Sequence, residues 1–372
     1  MSEADPFKLD RSLTRDLLAW LATPAARRAT ALLLLLGGGL VAFTIYESAW
    51  LHLPLVREEP PRFAAYQWLQ TAFAVPVSAL LVAALVAARA RPSPFDIERS
   101  GRGELLAGLV SLALAAAATA YFLADPAGFH AFAQEDRPVE WASALLLLGA
   151  AGLLALHALT RRRDRVTLVL AAGLCVALFV IGMEEISWGQ RLFGFSTPES
   201  LAEMNWQSEF NLHNVQTDLS ETLYYVGAGL FLILLPLLRD LLPPSLAARA
   251  PFALAPRRSV ALVAAPIAIF NYGHWDLLAV QLTIILAFWS LLAWTRVGAA
   301  RAAGERALFL VAAGAVLIGQ ALFLAFGASM TDLPDATEYK EFFIALGFAW
   351  YAATIVWPPR ESRLRFSPEA GA

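Results

Sequence analysis

Two short stretches concentrate the residues that can do chemistry. "GMEEISWGQR" sets the adjacent carboxylates Glu184 and Glu185 beside Ser187, Trp188, Gln190 and Arg191. If the preceding helix continues through it, Glu184, Ser187 and Arg191 share one face at i, i+3 and i+7. "NWQSEFNLHN" places Asn205, Glu209 and His213 at i, i+4 and i+8, with Asn214 beside them. On a helix this stacks an amide, a carboxylate and an imidazole along one side. A Glu and a His one turn apart can share a divalent metal, as in metal-binding bundles. The bland reading is an interfacial helix end followed by a solvated polar stripe.

Three further stretches add to the set. "EDRPVEW" gives Glu135, Asp136 and Glu140 around Pro138, which suits a first helical turn. Acids there also favour the helix dipole, and that alone would account for them. "TDLPDATEYKE" puts Glu338 and Glu341 on one face, and "NYGHWD" supplies Asn271, His274 and Asp276. The expected ligands for a metal are Glu184, Glu209, His213 and His274. Glu185 beside Glu184 is a further catalytic acid that could join the metal, Glu140 or Asp136 would serve as general base, and Arg191 would orient a substrate. Glu135, Ser187, Trp188, Gln190, Asn205, Asn214, Asn271, Asp276, Glu338 and Glu341 would line its pocket. Oxygen and nitrogen donors alone point to Zn, Mn, Fe or Mg.

The elements that must hold these residues are membrane helices. The chain is 58% hydrophobic and 16% charged, with a mean hydropathy of +0.58. That composition places it in the membrane class, as an all-α, polytopic transmembrane bundle. Ten apolar segments lie at 29–46, 65–88, 104–124, 140–160, 166–184, 221–238, 259–273, 275–295, 307–327 and 341–357. Most approach the ~20 residues a spanning helix needs. Residues 1–28 and 358–372 flank one transmembrane domain, 29–357, with a cap at about 185–220. Within the cap, Ser196 and Glu199 have capping-box spacing and Pro198 suits a first turn. The first segment follows a long polar leader without a clear cleavage site, and reads as an uncleaved helix. The lone Cys175 lies in an apolar run and reads as a small buried hydrophobe.

Charge then orients the bundle. With the amino terminus inside, 23 of the 28 Lys and Arg residues fall on inner segments, as cytoplasmic loops require. Both termini are therefore expected in the cytoplasm, with the polar motifs facing outward. His52, His130, His213 and His274 all fall on that outer side and only His157 near an inner end. Glu184 and Glu185 lie ~28 Å along a helix from Val166, near the far boundary of a ~30 Å core. The seventh segment spans only ~22 Å, so its polar end should dip into the membrane.

The combined motifs, E-D-x-x-x-E-W, E-E-x-S-W-G-Q-R and N-x-Q-x-E-x-N-L-H-N, resemble a family of uncharacterised bacterial multi-pass membrane proteins. The resemblance covers about Glu135 to Asn214 and implies a bacterial multi-pass membrane protein, for which the charge bias gives an inner-membrane location with the polar site facing the periplasm or exterior. It implies no activity. H-E-x-x-H, G-x-S-x-G and P-loop signatures are absent, and scattered basic residues exclude a nucleic-acid surface. Three function classes remain. One is a metal-assisted hydrolase or transferase acting on a lipid or lipid-linked substrate. The others are an ion-coupled transporter and a non-catalytic assembly protein; sparse polar residues in the inner half weigh against transport.

Overall fold

A computed structural model describes residues 18–53, 64–88, 100–134, 136–160, 165–205, 208–242, 252–270, 278–297, 303–326 and 337–358. All secondary structure among them is helical. The principal helices are α1 (Pro24–Ile45), α2 (Ala65–Ala87), α3 (Arg102–Ala124), α4 (Pro138–Thr160) and α5 (Arg165–Glu185). They continue as α6 (Thr217–Gly229), α7 (Arg258–Ala264), α8 (Leu278–Arg296), α9 (Ala303–Phe326) and α10 (Glu338–Val356). α6 passes through a π turn, Leu230–Leu234, into Leu235–Leu241. The turn falls just before Pro236, whose ring nitrogen cannot donate to the preceding turn.

Among the described residues, eight helices are long and apolar enough to cross a membrane, which makes the chain a multi-pass membrane protein by length and composition. The seventh and tenth expected segments are helical but fall outside that group. α7 and its 3-10 extension cover only Arg258–Ala268, and α10 opens with Glu338, Lys340 and Glu341. The exposed faces of the long helices are apolar. On α5, Val169 is 68% exposed and Val176 61%. Apolar surface of that extent suits a lipid environment.

The short α7 is the interior of the bundle. Every residue from Arg258 to Ala268 is buried, and a helix that is apolar nearly all round belongs in such a place. α3 and α9 grip it through glycines. A Cβ on Gly108 would lie 2.5 Å from Leu262 Cδ2, and one on Gly319 would lie 2.4 Å from Ile269 Cγ2. Without a hydrophobic force between helices in lipid, such close backbone approach is what holds them together. α10 packs between α7 and α4, and α4 packs in turn on α5. The start of α10 is fixed by Tyr339. Its ring stacks on Phe129 at 3.9 Å and 7°, and its hydroxyl donates to the Phe129 carbonyl at 2.9 Å.

Two sequence expectations fail here. The helix carrying "GMEEISWGQR" stops at Glu185 instead of continuing to Arg191. Residues 208–212 are not helical and only His213–Val215 form a 3-10 turn, so Asn205, Glu209 and His213 share no helical face. In both places side-chain hydrogen bonds replace the helical ladder. The expected cap also shifts. Glu199–Ala202 is a single turn with Pro198 at its N-cap position and no side-chain cap from Ser196.

Replacing Gly319 by Leu should force α9 away from α7. Overpacking of this kind costs ~1–3 kcal/mol. The expected outcome is a thermal midpoint lowered by several degrees in detergent, with Gly314→Leu, where a side chain meets open space, close to wild type.

Candidate functional site

The end of α5 is built to turn the chain back on itself. Ser187, Trp188 and Gly189 have φ of 45°, 55° and 76°, and for the two non-glycine residues that conformation costs ~1–3 kcal/mol each. Hydrogen bonds compensate. The Trp188 indole donates to Glu184 Oε1 at 2.6 Å. Glu184 Oε2 accepts from the backbone N–H groups of Leu212 at 2.6 Å and His213 at 3.0 Å. His213 Nδ1 lies 3.5 Å from the same oxygen. Glu184, 9% exposed, thus ties the helix end to the far side of the cap.

His213 lies outside the spanning helices, and its pKa is raised above the usual 6.5. Burial acts against the imidazolium. The adjacent Glu184 carboxylate, with the charges of Glu341 and Glu221, outweighs it.

Glu209 anchors a second tie. Its Oε2 accepts from Ser187 Oγ at 2.6 Å and Asn211 Nδ2 at 3.2 Å. Arg191 donates one guanidinium nitrogen to Glu209 Oε1 and the other to Asp136 Oδ2. Its pKa rises, first through the Glu209 hydrogen bond. Asp136, at φ 59°, donates its backbone N–H to the Glu140 carboxylate. Buried Asn205 donates to the Glu209 carbonyl at 3.1 Å and to Asn211 Oδ1 at 2.7 Å. Gln190 accepts from the Phe210 N–H at 2.7 Å and donates to Thr197 Oγ1 at 2.8 Å. Among the described residues, the cap thus supplies side-chain partners for the backbone of Leu212, His213, Phe210, Glu209 and Asn211 from within, as irregular backbone requires wherever water is scarce.

Glu185 points elsewhere, since adjacent residues on a helix diverge by ~100°. Its carboxylate meets Glu338 and Glu341 of α10. One oxygen from each of the three lies within 4.8 Å of the others, a spacing able to hold a metal ion. Glu185 hydrogen-bonds Glu341, and Glu140 of α4 and Glu221 of α6 add their charges nearby. Tyr225 donates to Glu341 Oε1 at 2.6 Å. Buried Lys340 places Nζ 3.8 Å from the centre of the Tyr225 ring. The Glu338 Oε2 atom is buried without a hydrogen-bond partner. At an effective dielectric of ~20, two carboxylates this close repel by about 3–4 kcal/mol when both are ionised. The group therefore needs protons or a cation.

The structure joins Glu184 with His213, and Glu209 with Arg191, Asp136 and Ser187. It does not gather Glu184, Glu209 and His213 into one ligand set; each carboxylate is already occupied by donors. Asn214 is buried at the 3-10 turn beneath the cap. Glu135, Asn271, His274 and Asp276 lie outside the described residues. Sequence reasoning missed Glu221 and Tyr225, whereas Lys340, with Arg137 and Arg191, is among the cations the sequence offers as counter-ions to the crowded acids. The available signal was Glu221 and Tyr225 at i and i+4 in the first turns of α6, opposite the closely spaced acids of α10. Compared with protein-family models, curated proteins and solved structures, the chain matches none.

Substituting Glu184 by Gln removes the charge that sustains protonated His213. NMR titration of the imidazole should show its pKa falling. In the wild type the raised value means that the ion pair contributes its full stability below the usual 6.5. That contribution disappears as pH rises through the folded-state pKa. Glu184→Gln should therefore flatten the fall in thermal midpoint across that range.

Proposed function

We propose that the chain is a ten-pass enzyme of the bacterial inner membrane, with both termini cytoplasmic and its acidic centre facing the periplasm or exterior. In this reading it is a metal-assisted hydrolase or transferase acting on a lipid or lipid-linked substrate. The observation that carries it is the meeting of Glu185, Glu338 and Glu341 within 4.8 Å. An oxyanion cluster of that kind, with one buried oxygen left without a donor, is what a divalent cation requires. Zn, Mn, Fe and Mg all accept such donors, and an all-oxygen set favours Mg or Mn. The metal role thus moves from Glu184 and Glu209, whose oxygens already accept several hydrogen bonds, to Glu185 and α10.

Roles for the neighbours follow from their surroundings. A bound metal would polarise a carbonyl or phosphoryl oxygen, or activate water. His213, held by Glu184 and influenced by Glu341, is placed to exchange a proton with a bound substrate. Glu140 is the further carboxylate available as base. Arg191 and Asp136 form a half-exposed rim where an anionic headgroup can be oriented. Exposed Leu192, Phe193 and Leu212 on the cap support access from lipid. Outward orientation rests on the bias of basic residues toward the other ends of the helices. The inner halves of the helices carry few polar residues, which favours one-sided access over a transport path.

The test uses purified protein in phosphatidylethanolamine and phosphatidylglycerol vesicles with Mn, Mg or Zn, and mass spectrometry of the lipids. A cleaved or transferred product is expected. Chelation or Glu341→Gln should reduce its rate by more than the ~10–100-fold typical of outer-shell substitutions. Turnover that is indifferent to both would overturn the metal-assisted reading.

A further inference from the structure

Just beyond the end of α5 the cap exposes apolar side chains in a segment that is not part of a spanning helix. In "RLFGF", Arg191 to Phe195, Leu192 is 67% exposed and Phe193 75%, and Phe195 is exposed beside them. A cluster of this kind marks an interaction surface, since large apolar residues gathered in one place are unfavourable against water.

The backbone fixes that presentation. Gln190–Phe193 is a single turn held between Gly189 and Gly194, both left-handed at φ 76° and 68°. A Cβ on Gly189 would lie 2.9 Å from Phe193 Cε2, so the Phe193 ring rests on bare glycine backbone. The polar groups of the same stretch turn the other way. Gln190 bonds the Phe210 N–H and Thr197, and the Trp188 indole N–H donates to Glu184. The segment is therefore two-sided, with its hydrogen bonds inward and its apolar side chains outward.

Its neighbours identify what lies outside. The Trp188 ring meets Phe179 edge-on at 6.4 Å and 80°, and Phe179 is exposed on α5, the helix that also exposes Val169 and Val176. Trp188, and the Phe193 ring on the adjoining glycine, thus carry the lipid-facing surface of α5 onto the cap. Phe195 extends it with an edge contact to Phe210 at 5.4 Å. The junction lies ~28 Å along α5 from Val166, near the boundary of a ~30 Å hydrocarbon core. Aromatic side chains gather at that depth in membrane proteins.

We propose that the cap is an interfacial anchor whose Leu192, Phe193 and Phe195 insert into the adjoining lipid leaflet, the outer one in the orientation above. Apolar faces of interfacial segments sink ~5–10 Å into the boundary between headgroups and acyl chains. The seating depends on the bundle crossing a membrane and stands apart from any reaction at the acidic centre.

The experiment attaches a spin label to single cysteines in a Cys175→Ala background, in the full chain reconstituted into phosphatidylethanolamine and phosphatidylglycerol vesicles. Power-saturation EPR compares collisions with oxygen, which concentrates in lipid, and with a water-soluble nickel chelate. Labels at Leu192→Cys and Phe193→Cys should show the high oxygen-to-chelate ratio of a label at Val176→Cys on the lipid face of α5. Glu203→Cys, exposed on the same cap, gives the low ratio of a label in water. Phe195→Cys serves as the further variant if one of the first two fails to reconstitute. A ratio at these positions as low as that of Glu203→Cys would overturn the proposal by placing the segment in water. Labels shielded from both reagents would also overturn it, by placing a protein partner or a second copy of the chain over the surface.

Discussion

Three carboxylates forced together at the edge of an apolar bundle are the constraint around which this protein is arranged. Glu185 ends α5, and Glu338 and Glu341 begin α10. Nothing in the apolar helices themselves favours that meeting. It is imposed by packing: α4 lies between α5 and α10, and α7 and the Tyr339 stack hold α10 in register. The starts of α4, α6 and α10 also direct their N-terminal dipoles toward the acids, which offsets part of their repulsion. The remainder must be met by a proton or a cation.

The cap answers a different requirement. Between α5 and α6 the chain leaves helical geometry, so its backbone groups need partners from side chains. Glu184 supplies them for Leu212 and His213, Gln190 for Phe210, and Asn205 for Glu209 and Asn211. Consecutive left-handed residues at Ser187 and Trp188 bring the indole back onto Glu184. Adjacent glutamates therefore divide the work: Glu184 organises the cap, while Glu185 faces the acidic centre. Arg191, bridging Asp136 and Glu209, links the cap to the start of α4.

Much of the architecture was legible because long apolar runs in a weakly charged chain have one stable solution. The membrane helices, the Pro138 start of α4 and the shared face of Glu338 and Glu341 follow from composition and spacing. The cap was misread because polar residues at i, i+4 and i+8 fit a helix as well as a knot of side-chain-to-backbone bonds. Local spacing does not reveal that Glu184 would reach Leu212, 28 residues away. The partnership of Glu185 with α10 was hidden for the same reason, since it depends on which helices pack side by side. Buried Arg258 counts in the sequence only among the basic residues that orient the bundle, because its pairing with Glu305 depends on which helices pack together.

Metal stoichiometry tests the account most directly. Purified wild-type protein, incubated with Mn and passed through a desalting column, should retain about one ion per chain by elemental analysis. Glu338→Gln and Glu341→Gln should retain none, while Glu184→Gln, whose parent carboxylate is occupied by the cap, should keep it. A wild type that retains no ion when Mn, Mg and Zn are each supplied would contradict the account. So would an ion lost from Glu184→Gln but kept in Glu338→Gln.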